Sequence, residues 1–467
     1  MKEIDNTPIE NLDVDWGNPD GTGTKAKSLE QVQKFIRKNF IELKDLINEQ
    51  LILYYGVEFD VSSSSPGCVR IGNMNLHKTL PIHNKIRGCL LNDNGDVIKY
   101  LNPSDWTSEI LDGTMGQVMV EIPSHYRRFE SEGTLRRIKL SEVPLTGFHL
   151  VPTMFVSAYQ ATINRINTIL SSVKNTSPDY RGGSNQSTWD DTYKSMLGMP
   201  ATAISRTNFR NYARKRKPSS TQWNCMTYDI QKTLYWLFVT EYATLNSQAE
   251  YNAELTPDGL RQGGLGMGVT LLNYDKWNNF NGYYPFIPCG YTDSLGNKTG
   301  IVNFTMPEEY DNTSTLTINV PRYRGIENPF GHIWQWTDGI NVRISPSEEN
   351  GGDGLSKVFI CNDTSAFNDS NYNGYTYIGN EARNDGYIKE IIFGEYGDII
   401  PSLVGGGSST YHCDYHHTII PSSESLRGVL FGGDAAHGSS AGFACAYSNF
   451  VPSGTDADVG SRLCFIP

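Results

Sequence analysis

The stretch Asn328-Pro329-Phe330-Gly331-His332-Ile333-Trp334-Gln335-Trp336-Thr337-Asp338 is the most specific feature of the chain. Two further blocks follow it in order. The first is Arg427-Gly428-Val429-Leu430-Phe431-Gly432-Gly433, and the second is Gly460-Ser461-Arg462-Leu463-Cys464-Phe465. Upstream lies the strongest helix signal, over 226–242, where Ile230, Leu234, Leu237 and Phe238 share one face. A second helical stretch is expected near 155–173, followed by a polar loop around 177–188. Beyond 242 come long segments rich in Gly, Asn, Tyr and Trp with few regular periods, which signals loops organised on a scaffold and used.

The first 150 residues have a different texture. Residues 1 to about 27 are polar and turn-rich, the pattern of a leader. Ser28 is an N-cap with Gln31 at the capping-box position, ahead of Leu29, Val32, Ile36, Asn39, Leu43 and Leu46. Those residues step by three and four, which fits either an oligomerisation stalk or an amphipathic helix on its own domain. From about 55 to 150 short alternating runs (57–61, 68–71, 97–101, 118–122, 135–140), with a hairpin at Asn94-Gly95, indicate a small β-rich domain. His125, Arg127 and Arg128 read as a solvated strand face. The expected domains are 1–55, 56–150 and 151–467.

Composition excludes several function classes. Lys plus Arg total 39 against 51 for Asp plus Glu, a net charge of -12 that disfavours a nucleic-acid partner. The longest strongly apolar run, 234–239, is far short of the ~20 residues of a spanning helix, so no membrane insertion is expected. The amino terminus lacks a secretory signal pattern, so synthesis in the cytoplasm without export by that route is expected. Eight cysteines without CxxC spacing make neither a disulfide framework nor a zinc ribbon.

Other motifs carry weaker chemistry. The cluster 263–268 lacks the Lys-Ser or Lys-Thr and the flanking strand of a phosphate loop, and reads as a turn. Tyr411-His412-Cys413-Asp414-Tyr415-His416-His417 holds every donor type a transition metal favours, yet adjacent histidines point apart on a strand and no second ligand pair completes a tetrahedron. No metal is therefore assigned. The acidic groupings 293–297 and 348–353 leave structural calcium open, although neither matches an EF-hand and turn chemistry accounts for both. No G-x-S-x-G or catalytic triad is present, so no catalytic residue is nominated.

The Trp-containing stretch resembles the signature of the formylglycine-generating-enzyme type of C-type lectin fold, Gly-Asn-Val-Trp-Glu-Trp. The block from Arg427 is similar to that family's Arg-Gly-Gly core, and Gly460 to Phe465 to its closing strand. The resemblance covers roughly 152–467 and names Gly331, Trp334, Trp336, Arg427, Gly432, Gly433, Gly460 and Arg462 as scaffold residues. It implies an α+β fold: a C-terminal C-type lectin-like domain preceded by an N-terminal helix and the small β-rich domain. His332 and Gln335 replace the signature's Asn and Glu, and Cys445 is the only cysteine between Gly433 and Gly460. The enzymes' catalytic cysteine pair is thus unmatched, and the chain is expected not to be an enzyme. The competing expectation is an oxidoreductase of that type using Cys445 and Cys464.

The layout Gly432-Gly433-Asp434-Ala435-Ala436-His437-Gly438-Ser439-Ser440-Ala441-Gly442-Phe443-Ala444-Cys445-Ala446-Tyr447-Ser448-Asn449, followed by Gly460-Ser461-Arg462-Leu463, lies in the region from about 405 to 467 and resembles the carboxy-terminal variable region of retroelement-diversified proteins. Those are C-type lectin-fold binders, often phage tail-fibre or surface-display proteins. Their randomised adenines interconvert Asn, Asp, His, Tyr, Ser, Thr, Ile and Phe. The resemblance implies ligand-binding positions Asp434, His437, Ser439, Tyr447, Asn449, Phe450, Ser453, Thr455, Asp456 and Asp458, together with Tyr411, His412, Asp414, Tyr415, His416 and His417. Aromatic and short polar residues of this kind suit a paratope, because they supply contact area and adaptable hydrogen bonds. The implied function is host-receptor recognition by a virion tail fibre acting extracellularly. Its partners would be a host cell-surface protein or glycan, other tail proteins, and itself as a homotrimer. A structural tail or baseplate protein without a ligand is the remaining alternative.

Overall fold

Runs of β-branched and aromatic residues set the first half of the chain as strands. In a computed structural model, Tyr55–Asp60 lies between Val69–Gly72 and Leu135–Ser141, and the antiparallel sheet continues through His125–Glu132 to His149–Val151. Tyr55, Val57, Phe59, Ile138 and Leu140 are all buried, the period-two pattern read from the sequence. The expected hairpin is also present, with Arg87–Leu91 paired to Val97–Tyr100 and Gly95 turning at φ +93°. His125 and Arg127 are corrected from a solvated face to the interior. Arg127 bonds Asp229 at 2.9 Å and Thr233 Oγ1 at 2.8 Å, because this sheet packs on the helix Tyr228–Tyr242.

The structure describes residues 52–307, 310 and 316–467, together with Gln33 and 36–38, which are helical. Leu29, Val32, Asn39, Leu43 and Leu46 of the expected stalk lie outside the described residues, as does the leader. The chain divides into two units, Met1–Leu53 and Tyr54–Pro467. The boundary expected at 150 falls inside the second. There, a six-stranded sheet runs Trp223–Cys225, Leu463–Phe465, Met154–Ser157, Gln117–Ile122, Arg87–Leu91 and Val97–Tyr100. Val156 pairs with Val120 on one side and Cys464 on the other. Backbone pairing across more than 300 residues of sequence therefore fuses the two expected domains.

The chain is β-rich, with four α-helices in the described part of Tyr54–Pro467. The longest, Tyr228–Tyr242, starts where Thr227 caps the Ile230 amide and ends at Ala243 in the left-handed region, φ +53°. Every residue of it except Asp229 is buried, rather than the single apolar face expected, and its Lys232 is neutralised by Asp398 at 3.0 Å. Such all-round burial marks a central helix. The helix expected over 155–173 is instead three strands, Met154–Ser157, Thr162–Asn164 and Ile169–Ser171. Asn164 breaks the helical period by accepting the amides of Ile166 and Asn167 in a tight turn.

A nine-stranded sheet carries the motif blocks. Its order is Thr376–Asn380, Ser356–Ile360, Trp334–Ile344, Ser425–Gly432, Gly442–Tyr447, Tyr415–His417, Gly386–Ile391 and Pro401–Val404, with Val459–Gly460 parallel to Trp334–Ile344. Among the described residues no helix is long and apolar enough to cross a membrane.

Candidate functional site

The three motif blocks meet on the strand Trp334–Ile344. Trp336 sits opposite Leu430, and Trp334 opposite Val459. Arg462, almost wholly buried, donates to Gln335 Oε1 at 2.8 Å, to Ser157 O at 3.2 Å, and to the carbonyls of Glu327 and Asn328. Ser461 Oγ bonds Trp336 O at 2.8 Å, and Arg427 reaches the carbonyl of Asn449. Gly331, Gly432 and Gly433 all take positive φ where the blocks cross. A Cβ at Gly331 (φ +80°) would lie 2.5 Å from Thr270 Cγ2. Gly331→Ala is therefore expected to cost about 1–3 kcal/mol, read as a lower urea midpoint.

On this frame the outward residues form one ring cluster. Trp334 packs against His437 (centroids 4.8 Å apart), Tyr447 (5.3 Å) and His417 (6.0 Å). His417 in turn contacts Tyr415 at 4.6 Å, His437 at 5.1 Å and Tyr447 at 5.3 Å. Phe450 extends the cluster beyond Tyr447, and Tyr387 extends it beyond Tyr415, opposite it in register. Edge-to-face contacts dominate, so each ring is held by its neighbours rather than free to rotate. Tyr387 also bonds Ser439 Oγ at 2.9 Å, and Asn449 donates to the Tyr447 hydroxyl at 3.2 Å.

A polar group backs the rings. His437 Nδ1 is 2.7 Å from Asp434 Oδ1, and the Tyr274 hydroxyl is 3.2 Å from Asp434 Oδ2 and 2.9 Å from His437 Nδ1. Burial and the neighbouring Asp434 charge push Asp458 well above the usual carboxylate range. Burial alone would raise Asp434, but the bonds from His437, Ala436 N–H and Asp458 hold it below that range. Of the two carboxyls, Asp458 is therefore the one that holds a proton more readily. Burial and His437 lower His417 to about 4, so its ring is neutral at pH 7.

The structure sorts the expected contact residues by burial. Tyr415, His417, His437, Tyr447, Asn449 and Phe450 come together, with Ser439 on the flank, while Asp434, expected as a contact residue, is buried beneath the rings beside the half-buried Asp458. Ser453, Thr455 and Asp456 are exposed in the adjoining turn, and Tyr411 is half-buried at φ +56°. His412, Asp414 and His416 are corrected to core residues. His412 bonds Tyr235 at 2.9 Å, Asp414 accepts the Ala444 amide at 2.7 Å with its carboxyl raised well above normal by burial, and His416 bonds Ala382 O at 3.0 Å. His416 and His417 point to opposite faces, as adjacent strand residues must. Sequence reasoning missed Tyr274 and Tyr387, which are isolated in sequence and join the cluster only through pairing and packing.

Other candidate chemistry is dispersed. Among the described residues no three His, Cys, Asp or Glu side chains are placed to hold a metal ion. In the acidic groupings, Asp293 is engaged by Tyr159 and Lys174, and Asp353 by Arg343 and Lys357. Burial pushes the Cys464 thiol up to about 12 and Cys445 well above the ordinary thiol range, so neither is a thiolate at pH 7.

No protein-family profile and no curated protein matches the chain. Among solved structures, PvdO from Pseudomonas aeruginosa is similar over 78% of this chain and 99% of its own, at 10% identity and a TM-score of 0.32. The Major Tropism Determinant U1 variant is similar over 67% of this chain and 50% of its own, at 13% identity and a TM-score of 0.23. For the P3c variant the figures are 90%, 86%, 10% and 0.22. The likeness is loose. Scores this low assign neither fold nor activity, and the site is read from its own geometry.

Proposed function

We propose that the chain is a receptor-binding protein that presents the Trp334-backed ring cluster and the turn 451–456 as its contact surface. In this reading the frame is C-type lectin-like, and the protein acts at the tip of a phage tail fibre against a host cell-surface protein or glycan. Self-association as a trimer and docking to other tail proteins belong to the same reading. One observation carries it: Tyr387, Tyr415, His417, His437, Tyr447 and Phe450, drawn from separate loops and strands, converge on one partly exposed surface over a buried tryptophan. Rigid aromatic side chains on a fixed frame bind at low entropic cost and need no covalent chemistry.

The test is alanine at Tyr415, Tyr447 and Phe450, with binding to host cells and thermal unfolding measured together. Each variant should lose at least about tenfold in binding, and Tyr415→Ala should keep its unfolding midpoint within about 1–2 °C. Unchanged binding in all three would overturn the reading. Sequencing codons 405–467 through a propagated population checks diversification separately. Changes are expected at the outward positions and not at His412, Asp414, His416, Gly432, Gly433 or Arg462.

A further inference from the structure

A cleft of about 460 Å³, lined by none of the ring-cluster residues, opens between the turn 112–116, the loop at 92–93 and the hairpin that contains Asn164 and Ser171. Its volume falls in the range of small-ligand sites, roughly 300–1,000 Å³. One wall is built around Arg216, which is only 9% exposed. Its guanidinium donates to Leu170 O, Ser171 Oγ and Asp93 Oδ1, each at 2.6 Å, and lies 5.5 Å over the ring of Trp223. Trp223 Nε1 in turn holds the Asp93 carbonyl at 2.9 Å. These bonds fix the Asp93 carboxylate, whose side chain is 58% exposed, and leave Oδ2 as an uncommitted acceptor.

Donors line the same cleft. Gln117 Oε1 accepts the Ser172 amide at 2.9 Å, which sets the orientation of the side-chain amide and leaves the Nε2 hydrogens uncommitted. The Tyr180 hydroxyl receives only a long bond, 3.4 Å, from Asn164 Nδ2, so its own proton remains to be donated. Ile98 and Met115 are about half exposed at the rim. Arg216 and Asp93 neutralise each other, and no other charged residue lines the cleft. A phosphate or an ammonium group therefore has no unpaired countercharge there.

We propose that this cleft binds a neutral saccharide unit through a vicinal diol. Each sugar hydroxyl both donates and accepts. One hydroxyl donates to Asp93 Oδ2 and its neighbour accepts from Gln117 Nε2 or Tyr180 Oη, while the C–H face of the ring covers Ile98 and Met115. A site whose fixed polar groups await hydroxyls rejects an analogue without them, because those groups would be left dry and unpaired. The proposal is independent of the C-terminal contact surface.

The test is saturation-transfer NMR on the full chain with methyl α-D-glucopyranoside, methyl α-D-mannopyranoside and methyl β-D-galactopyranoside, and with tetrahydropyran-2-methanol as the diol-free control. At least one glycoside should bind in the millimolar range, with no transfer to the control. Asp93→Ala should weaken binding about tenfold and Tyr180→Phe about threefold, whereas Tyr447→Ala should leave it unchanged. In Asp93→Ala the buried Arg216 keeps its bonds to Leu170 O and Ser171 Oγ, and Tyr180→Phe removes only a hydroxyl, so circular dichroism of both variants should match the parent even where Asp93→Ala lowers the unfolding midpoint. Absence of transfer from all three glycosides overturns the proposal. So does binding that survives Asp93→Ala and Tyr180→Phe, and binding that Tyr447→Ala removes would place the sugar on the other surface.

Discussion

Replacing Arg462 with Met is expected to lower the stability of the chain by about 3–5 kcal/mol, one of the largest single-site effects in the molecule. The guanidinium is sealed from water, and burial drives its pKa down to about 10. That desolvation cost would disappear in the variant. What remains is larger, because the acceptors are mostly backbone: Ser157 O, Glu327 O and Asn328 O keep their places when the donor leaves, and Gln335 Oε1 is orphaned with them. Each unsatisfied buried acceptor costs about 1–3 kcal/mol. A carboxylate partner could have been removed along with the charge, but carbonyls cannot, so the apolar swap that rescues some buried ion pairs fails here. Arg462→Lys should recover only part of the loss, since one ammonium cannot span the fork. Urea unfolding of both variants is the measurement, and a loss under about 1 kcal/mol for Arg462→Met would show that the region relaxes around the gap.

Acidification from pH 6.5 to 4.5 is expected to lower stability, each buried neutral histidine contributing about 2 kcal/mol to the loss. Burial holds His83, His125 and His412 at about 4 and His332 at about 3, against 6.5 in the unfolded chain. Between those values the unfolded state takes up protons that the folded state refuses, so stability falls as pH falls. His332 shows the cause in its bonds. Nδ1–H donates to Gln160 Oε1 at 2.7 Å, and Nε2 accepts the amides of Phe286 and Ile287, so a proton on Nε2 would break both contacts. Glu381 and Asp414 act in the opposite sense. Burial raises Glu381 to about 8 and Asp414 well above its ordinary value, so both favour the fold as pH falls and disfavour it as pH rises. His77 and His417, also held at about 4, add to the acid loss, while Asp458, Asp293 and Glu327, raised by burial, oppose it; the lowered histidines outnumber the raised carboxyls and leave a net acid loss, with a stability maximum near neutrality. Urea midpoints from pH 4.5 to 8 should show this curve, and His332→Gln should flatten its acid limb by about one proton. A flat profile between pH 6.5 and 5 would rule the account out.

Local structure was legible in the residues themselves. The strands at Tyr55–Asp60, Gln117–Ile122 and Leu135–Ser141, the Asn94-Gly95 turn and the helix Tyr228–Tyr242 follow from side-chain period and turn chemistry acting over a few residues. The three motif blocks were also legible, because tryptophans and glycines in fixed spacing leave few alternatives. Long-range packing set the remainder. Val156 sits between Val120 and Cys464, so the expected boundary at 150 dissolves into a sheet whose pairing has no local signature. Within Tyr411 to His417, identical residue types divide into core and surface: His412, Asp414 and His416 are sealed, while Tyr415 and His417 join the rings. Strand alternation assigns His416 and His417 to opposite faces, but which face is wet depends on what packs against it. The elements that set this, including Tyr235, Ala382 and Trp334, lie some 30 to 180 residues away along the chain.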